Sequence, residues 1–176
     1  MKKIVLYLFL VTLFVSAGDH DMYPQDITAV VGYQTNSRAS NLENTMIHGL
    51  RYNQNIYNSS PWAIDAYQVA LDIASNVAYL DREQTTSIFR LGGNLLWTMD
   101  NESNLTPFIL LGAGLNLVTN PQGDQSGLSL FTNVGGGVEL DIRNDIALVG
   151  EMKYIYQDPN KQSFNTNIGL KFRFGN

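Results

Sequence analysis

A chain of 176 residues is long enough for one domain, and its 15% charged residues fall well below the ~25% of ordinary soluble domains. The formal net charge is −5, an acidic balance that argues against a nucleic-acid partner. Cysteine is absent, which excludes disulfides, thiolate metal sites and a lipid-modified cysteine.

The chain opens with MKKIVLYLFLVTLFVSA. Lys2 and Lys3 precede an apolar run over 4–15, and small residues lead to a cut expected after Ala17. This is the three-part layout of a secretory signal, and its apolar run is short for a membrane helix. Removing residues 1–17 leaves 9 basic against 16 acidic residues, a net charge of −7. Residues 18–25 then read as a short leader and 26–176 as the single folded domain. An exported chain without disulfides must be held by its core or by extensive strand pairing.

Beyond residue 17 nothing approaches the ~18 consecutive apolar residues of a membrane helix. Period-two alternation recurs instead, between breaks rich in Gly, Asn, Asp and Pro. It predicts eight strands: 27–34 (ITAVVGYQ), 45–53 (TMIHGLRYN), 62–72 (WAIDAYQVALD), 86–99 (TSIFRLGGNLLWTM), 106–118 (TPFILLGAGLNLV), 128–142 (LSLFTNVGGGVELDI), 145–157 (DIALVGEMKYIYQ) and 163–174 (SFNTNIGLKFRF). Most reach the ~9–11 residues that a tilted strand needs to cross a bilayer.

The faces separate cleanly from the fourth strand onward. In the sixth, Leu130, Thr132, Val134, Val138 and Leu140 oppose Asn133, Glu139 and Asp141. In the last, Phe164, Ile168, Leu170, Phe172 and Phe174 oppose Asn165, Asn167, Lys171 and Arg173. The second strand is irregular and its facing stays open. Taken singly, each strand also fits a soluble sheet with its apolar face inward. Three features favour a membrane barrel. The apolar faces are long. Aromatics (Trp62, Trp97, Phe108, Tyr154, Tyr156, Phe172, Phe174) gather near strand ends as interfacial girdles do. The polar faces, rich in Gly and Asn with opposite charges, suit a crowded lumen.

Four stretches carry a resemblance. TPFILLGAGLNLV resembles the Pro-aromatic…Gly-Ala-Gly strand of OmpA-like and OprF-like outer-membrane barrels, and NVGGGVELDIRNDIALVGEMKY resembles the hairpin that follows it. SPWAIDAYQ is similar to the family's third strand, and IGLKFRFG to its closing strand. The resemblance implies an all-β, eight-stranded, antiparallel, up-and-down transmembrane barrel in a Gram-negative outer membrane, with both ends in the periplasm. Periplasmic turns are then expected near 53–61, 100–105 and 143–144, and outer loops near 35–44, 73–85, 119–127 and 158–162. It also implies that the strand ending at Phe174 is the signal read by outer-membrane assembly machinery. The peptidoglycan-binding domain that follows many such barrels is not expected here. Asp65 and Glu139 match acidic positions of the family, while the basic position expected on the seventh strand reads Val149, with Lys153 further along.

Catalysis needs a constellation, and only His20 and His48 remain after the signal. His20 lies in the leader, and His48 has no Ser or acid at a matching level, so no catalytic residue, metal ligand or cofactor is expected. The candidate site is a lumen charge network of Asp65, Arg90, Glu139, Glu151, Lys153, Lys171 and Arg173. Ile168, Leu170, Phe172 and Phe174 are expected to face lipid. The resulting expectation is a monomeric, non-enzymatic outer-membrane protein with a structural role and a filled lumen, since eight strands leave room for little more than side chains. The alternatives are a narrow pore for small solutes, a barrel-embedded lipid-modifying enzyme, and a soluble barrel binding a hydrophobic ligand.

Overall fold

The computed structural model describes residues 25–56, 64–99, 103–119, 127–157 and 161–174. The signal segment, nearly all of the leader and Trp62 lie outside them. Eight strands run in chain order: β1 (Gln25–Asn36), β2 (Thr45–Asn55), β3 (Ala66–Tyr79), β4 (Arg82–Thr98), β5 (Leu105–Val118), β6 (Leu128–Arg143), β7 (Ile146–Gln157) and β8 (Lys161–Phe174). Each pairs antiparallel with the next, and β8 pairs with β1, closing the barrel. Closure removes the free edges that a flat sheet would expose. Gln25 and Phe174 pair at one end, here the lower end, and Asn36 and Ser163 at the other.

Alternation sets the wall. In β8, Ser163, Asn165, Asn167 and Gly169 are buried, while Phe164, Thr166, Ile168 and Leu170 are exposed. The same two-residue rhythm runs through β1, β5, β6 and β7. The buried set includes Asp26, Arg51, Asp72, Arg90, Glu151 and Lys153, and the exposed set includes Leu50, Ile109, Leu111, Val134, Met152 and Ile168. Polar side chains are thus inside and apolar ones outside, the reverse of a soluble barrel. The second strand resolves in the same sense: Ile47, Arg51 and Asn53 point in, and Met46, His48 and Leu50 point out. Its pattern is hard to read because an apolar residue faces the lumen and an ionisable one faces outward.

Two expectations are corrected. Residues 73–85 are not a loop: β3 continues to Tyr79 and turns through Leu80 and Asp81 into β4. A bulge hides this in the sequence. Ala74 pairs with Ile88 but Val77 with Thr86, so β3 carries one extra residue, and Asn76 adopts φ 57° to accommodate it. The slip puts Ala74 and Val77 on the same face and breaks the period of two. The second correction concerns Phe108, which points inward and is buried, so it belongs to no outer girdle. Exposed aromatics still form two bands. Tyr33, Tyr156 and Phe164 lie toward the upper end, and Tyr67, Phe172 and Phe174 toward the lower.

Close strand approach requires glycine at Gly49. A Cβ there would lie 2.5 Å from Asp72 Oδ1 and 2.7 Å from the Leu71 carbonyl oxygen, which backbone pairing holds in place. Gly49→Ala is expected to cost about 1–3 kcal/mol, measured as a lower urea midpoint for the folded barrel in detergent micelles.

Candidate functional site: the barrel lumen

The lumen is filled in layers. At the lower mouth β8 contributes Lys171 and Arg173, and β6 contributes Glu139 and Asp141. Lys171 pairs with Glu139, and Arg173 pairs with both acids of β6. Lys171 Nζ also lies 3.4 Å from Asp26 Oδ2. This last contact crosses the β1–β8 seam, so an ion pair reinforces the junction that closes the barrel. Asn53 Nδ2 donates to Asp26 Oδ1 at 2.6 Å.

Above the mouth, Ala66, Leu96, Phe108, Leu110 and Val149 form an apolar layer. Next comes a chain of amides: Asn133 Nδ2 donates to Asn94 Oδ1 at 3.0 Å, and Asn94 Nδ2 donates to Gln68 Oε1 at 2.6 Å. The centre holds two cations and two anions. Arg51 Nη2 sits 2.6 Å from Asp72 Oδ1 and 3.1 Å from Glu151 Oε1. Lys153 Nζ sits 3.1 Å from Glu151 Oε1 and 3.5 Å from Asp72 Oδ2. All four side chains are at most 7% exposed. Burying charges out of water is affordable only when they are paired and hydrogen-bonded. Here the ion pairs are supplemented by Asn167 Nδ2, which donates to Glu151 Oε1 at 2.8 Å, and by Arg51 Nη1, which donates to the Leu50 and Leu71 carbonyls.

Arg90 stands apart. It is buried and makes no ion pair among the described residues. Its Nη1 donates to Gln34 Oε1, and the Gln157 amide oxygen, turned toward it, accepts from Nε and Nη2 at 3.3 Å each. Over the upper end, Leu42, Ile47, Ala74, Val77, Tyr79 and Ile88 form a second apolar layer. A cavity of about 40 Å³, room for a few waters, lies in the lower half beside Arg51, Glu139, Glu151 and Lys171.

The predicted network therefore divides. Glu151 and Lys153 meet at the centre, Glu139, Lys171 and Arg173 meet at the lower mouth, and Arg90 is held by amides. Asp65 joins neither cluster. It precedes β3 at the lower rim, where Oδ2 accepts from Thr98 N at 2.6 Å and from Thr98 Oγ1 at 3.1 Å. Its parity explains this, because Tyr67, Val69 and Leu71 share it and face outward while Ala66, Gln68 and Ala70 are buried. Three buried charges among the described residues, Asp26, Arg51 and Asp72, lie outside the network expected from the sequence. Asp26 fell just outside the first strand, Arg51 lay in the strand of open facing, and Asp72 sat next to the supposed loop. The even-numbered inward run Ala66–Gln68–Ala70 could have found Asp72. On β8, Ile168, Leu170, Phe172 and Phe174 point outward, between 38% and 53% exposed.

Among the described residues no group of three or more His, Cys, Asp or Glu could hold a metal ion. No helix among them is long and apolar enough to cross a membrane, a finding that says nothing of a β-barrel, which crosses with strands.

No family model matches this sequence. No curated protein matches it either. Solved structures do. Neisserial surface protein A superposes with a TM-score of 0.69 at 14% identity, covering 86% of this chain and 97% of that one. The N-terminal β-barrel domain of Pseudomonas aeruginosa OprF gives 0.54 at 15% identity, covering 86% and 97%. The outer membrane enzyme PagL gives 0.52 at 15% identity, covering 84% and 98%. At such identities the likeness is one of fold, and the fold is the closed eight-stranded antiparallel barrel of outer-membrane proteins.

Proposed function

We propose that this chain is a small integral outer-membrane protein with a structural, membrane-integrity role and no catalytic activity. It is exported by its N-terminal segment, and assembly machinery reads the strand ending at Phe174. The observation that carries this reading is the inside-out partition of the wall. A continuous apolar exterior banded by aromatics is far larger than the patches that monomeric soluble proteins expose, and lipid is the solvent that accepts it. The two apolar layers and the paired charges between them support a filled lumen. His48, with no hydrogen-bond partner among the described residues and apolar neighbours, supports a non-catalytic reading.

Cell fractionation with gels run unheated and heated tests the location. The protein is expected in the outer-membrane fraction with heat-dependent mobility, and a soluble periplasmic protein of unchanged mobility would refute the proposal. The cavity in the lower lumen favours a second reading, a narrow pore. Purified protein in planar bilayers is expected to be silent, and reproducible conductance steps would replace the plug with the pore.

A further inference from the structure

We propose that the outer face of β1–β3 is a homodimer interface in the membrane, centred on His48. The inference rests on the membrane reading above and departs from the monomer expected from the sequence. Away from the barrel's two ends, His48 is the one Lys, Arg, His, Asp or Glu on the outward face among the described residues. Its cross-strand neighbours are Val31 and Ile73, and along its own strand Met46 and Leu50 share its face. All four are apolar. Val31 lies six residues from the start of β1 and five from its end, so the imidazole emerges near mid-height.

Acyl chains offer an imidazole neither donor nor acceptor, and polar groups at such depth face protein or water in the great majority of membrane proteins. Among the described residues His48 has no hydrogen-bond partner within its own barrel. A neutral imidazole carries one N–H donor and one bare nitrogen acceptor, so one imidazole can serve another. All copies insert in one direction, so a two-fold axis relating them runs along the bilayer normal and keeps every residue at its own depth. A second copy therefore always presents His48 level with His48. A partner of different sequence would need its own polar group at that depth on an otherwise apolar face. Met46 and Leu50, 58% and 52% exposed, protrude on either side and supply the packing surface.

The chain contains no cysteine, so a single introduced thiol reports on one position. Leu50→Cys keeps His48 in place. Oxidised in isolated outer membranes, it is expected to give a disulfide-linked dimer. Val134→Cys, on the opposite wall, is expected to stay monomeric. Adding His48→Leu to Leu50→Cys is expected to lower the dimer fraction about three- to tenfold, the range of a hydrogen bond between segments in lipid, with heat-dependent mobility retained. Equal cross-linking from positions 50 and 134, or a dimer fraction indifferent to His48→Leu, would overturn the interface. So would capture by a bifunctional maleimide of a chain of different mass only. Loss of Leu50→Cys from the membrane fraction would instead refute the membrane reading and the dimer with it, and the fractionation and unheated gel tell the two failures apart.

Discussion

Glu151→Ala is expected to be among the most damaging single changes in this barrel, at about 3–5 kcal/mol. Glu151 is the anion shared by Arg51 and Lys153, and its side chain is 3% exposed. Without it two buried cations share Asp72 alone, and Asn167 loses its acceptor. The cost comes from the charge left unpaired in a buried interior, more than from the loss of the attraction itself. The companion variant separates these effects. Glu151→Leu with Lys153→Met removes one charge of each sign and leaves Arg51 with Asp72, so it should recover most of the loss. Urea unfolding in detergent, followed by tryptophan fluorescence or by the unheated-gel shift, measures both. A double variant as unstable as Glu151→Ala would mean that the central cluster is held by packing instead of by charge balance.

Leu170→Arg carries the second large expected effect, about 2–4 kcal/mol if the side chain meets lipid near the bilayer centre. Leu170 points outward from β8, between Leu148 of β7 and Ala29 of β1. It therefore lies in the strand that must dock on β1 to close the barrel. Less folded protein in the outer membrane and a lower unfolding midpoint are expected together. Gly169→Ala is a control of another kind, because its Cβ would meet the Ala29 carbonyl oxygen at 2.7 Å inside the wall. That substitution tests seam packing, whereas the arginine tests the solvent outside. Wild-type stability of Leu170→Arg in liposomes would show that this face does not contact acyl chains.

The eight strands and the apolar-out, polar-in assignment of β4 to β8 were legible in the sequence. Side-chain direction in a strand is local: each residue faces opposite to the one before, so Val134, Leu140, Ile168 and Leu170 announce one face without reference to any partner. The same locality explains the failures. The bulge near Asn76 reverses the parity of β3, and with it the line between strand and loop. Phe108 and Ile47 are apolar residues on the lumen face, where hydropathy points the other way. Asp65 looked like a lumen charge by type and misses the lumen by one residue of parity.

By itself, the sequence determined the architecture, because the alternation of polar and apolar residues is written residue by residue. Only the tertiary structure decided which charges meet. Arg51 and Glu151 are 100 positions apart in the chain and 3.1 Å apart in the lumen. Their meeting depends on how β2 and β7 are staggered once the barrel has closed, and no local period records that stagger. The same holds for Asp26 and Lys171, which face each other only because the last strand returns to the first.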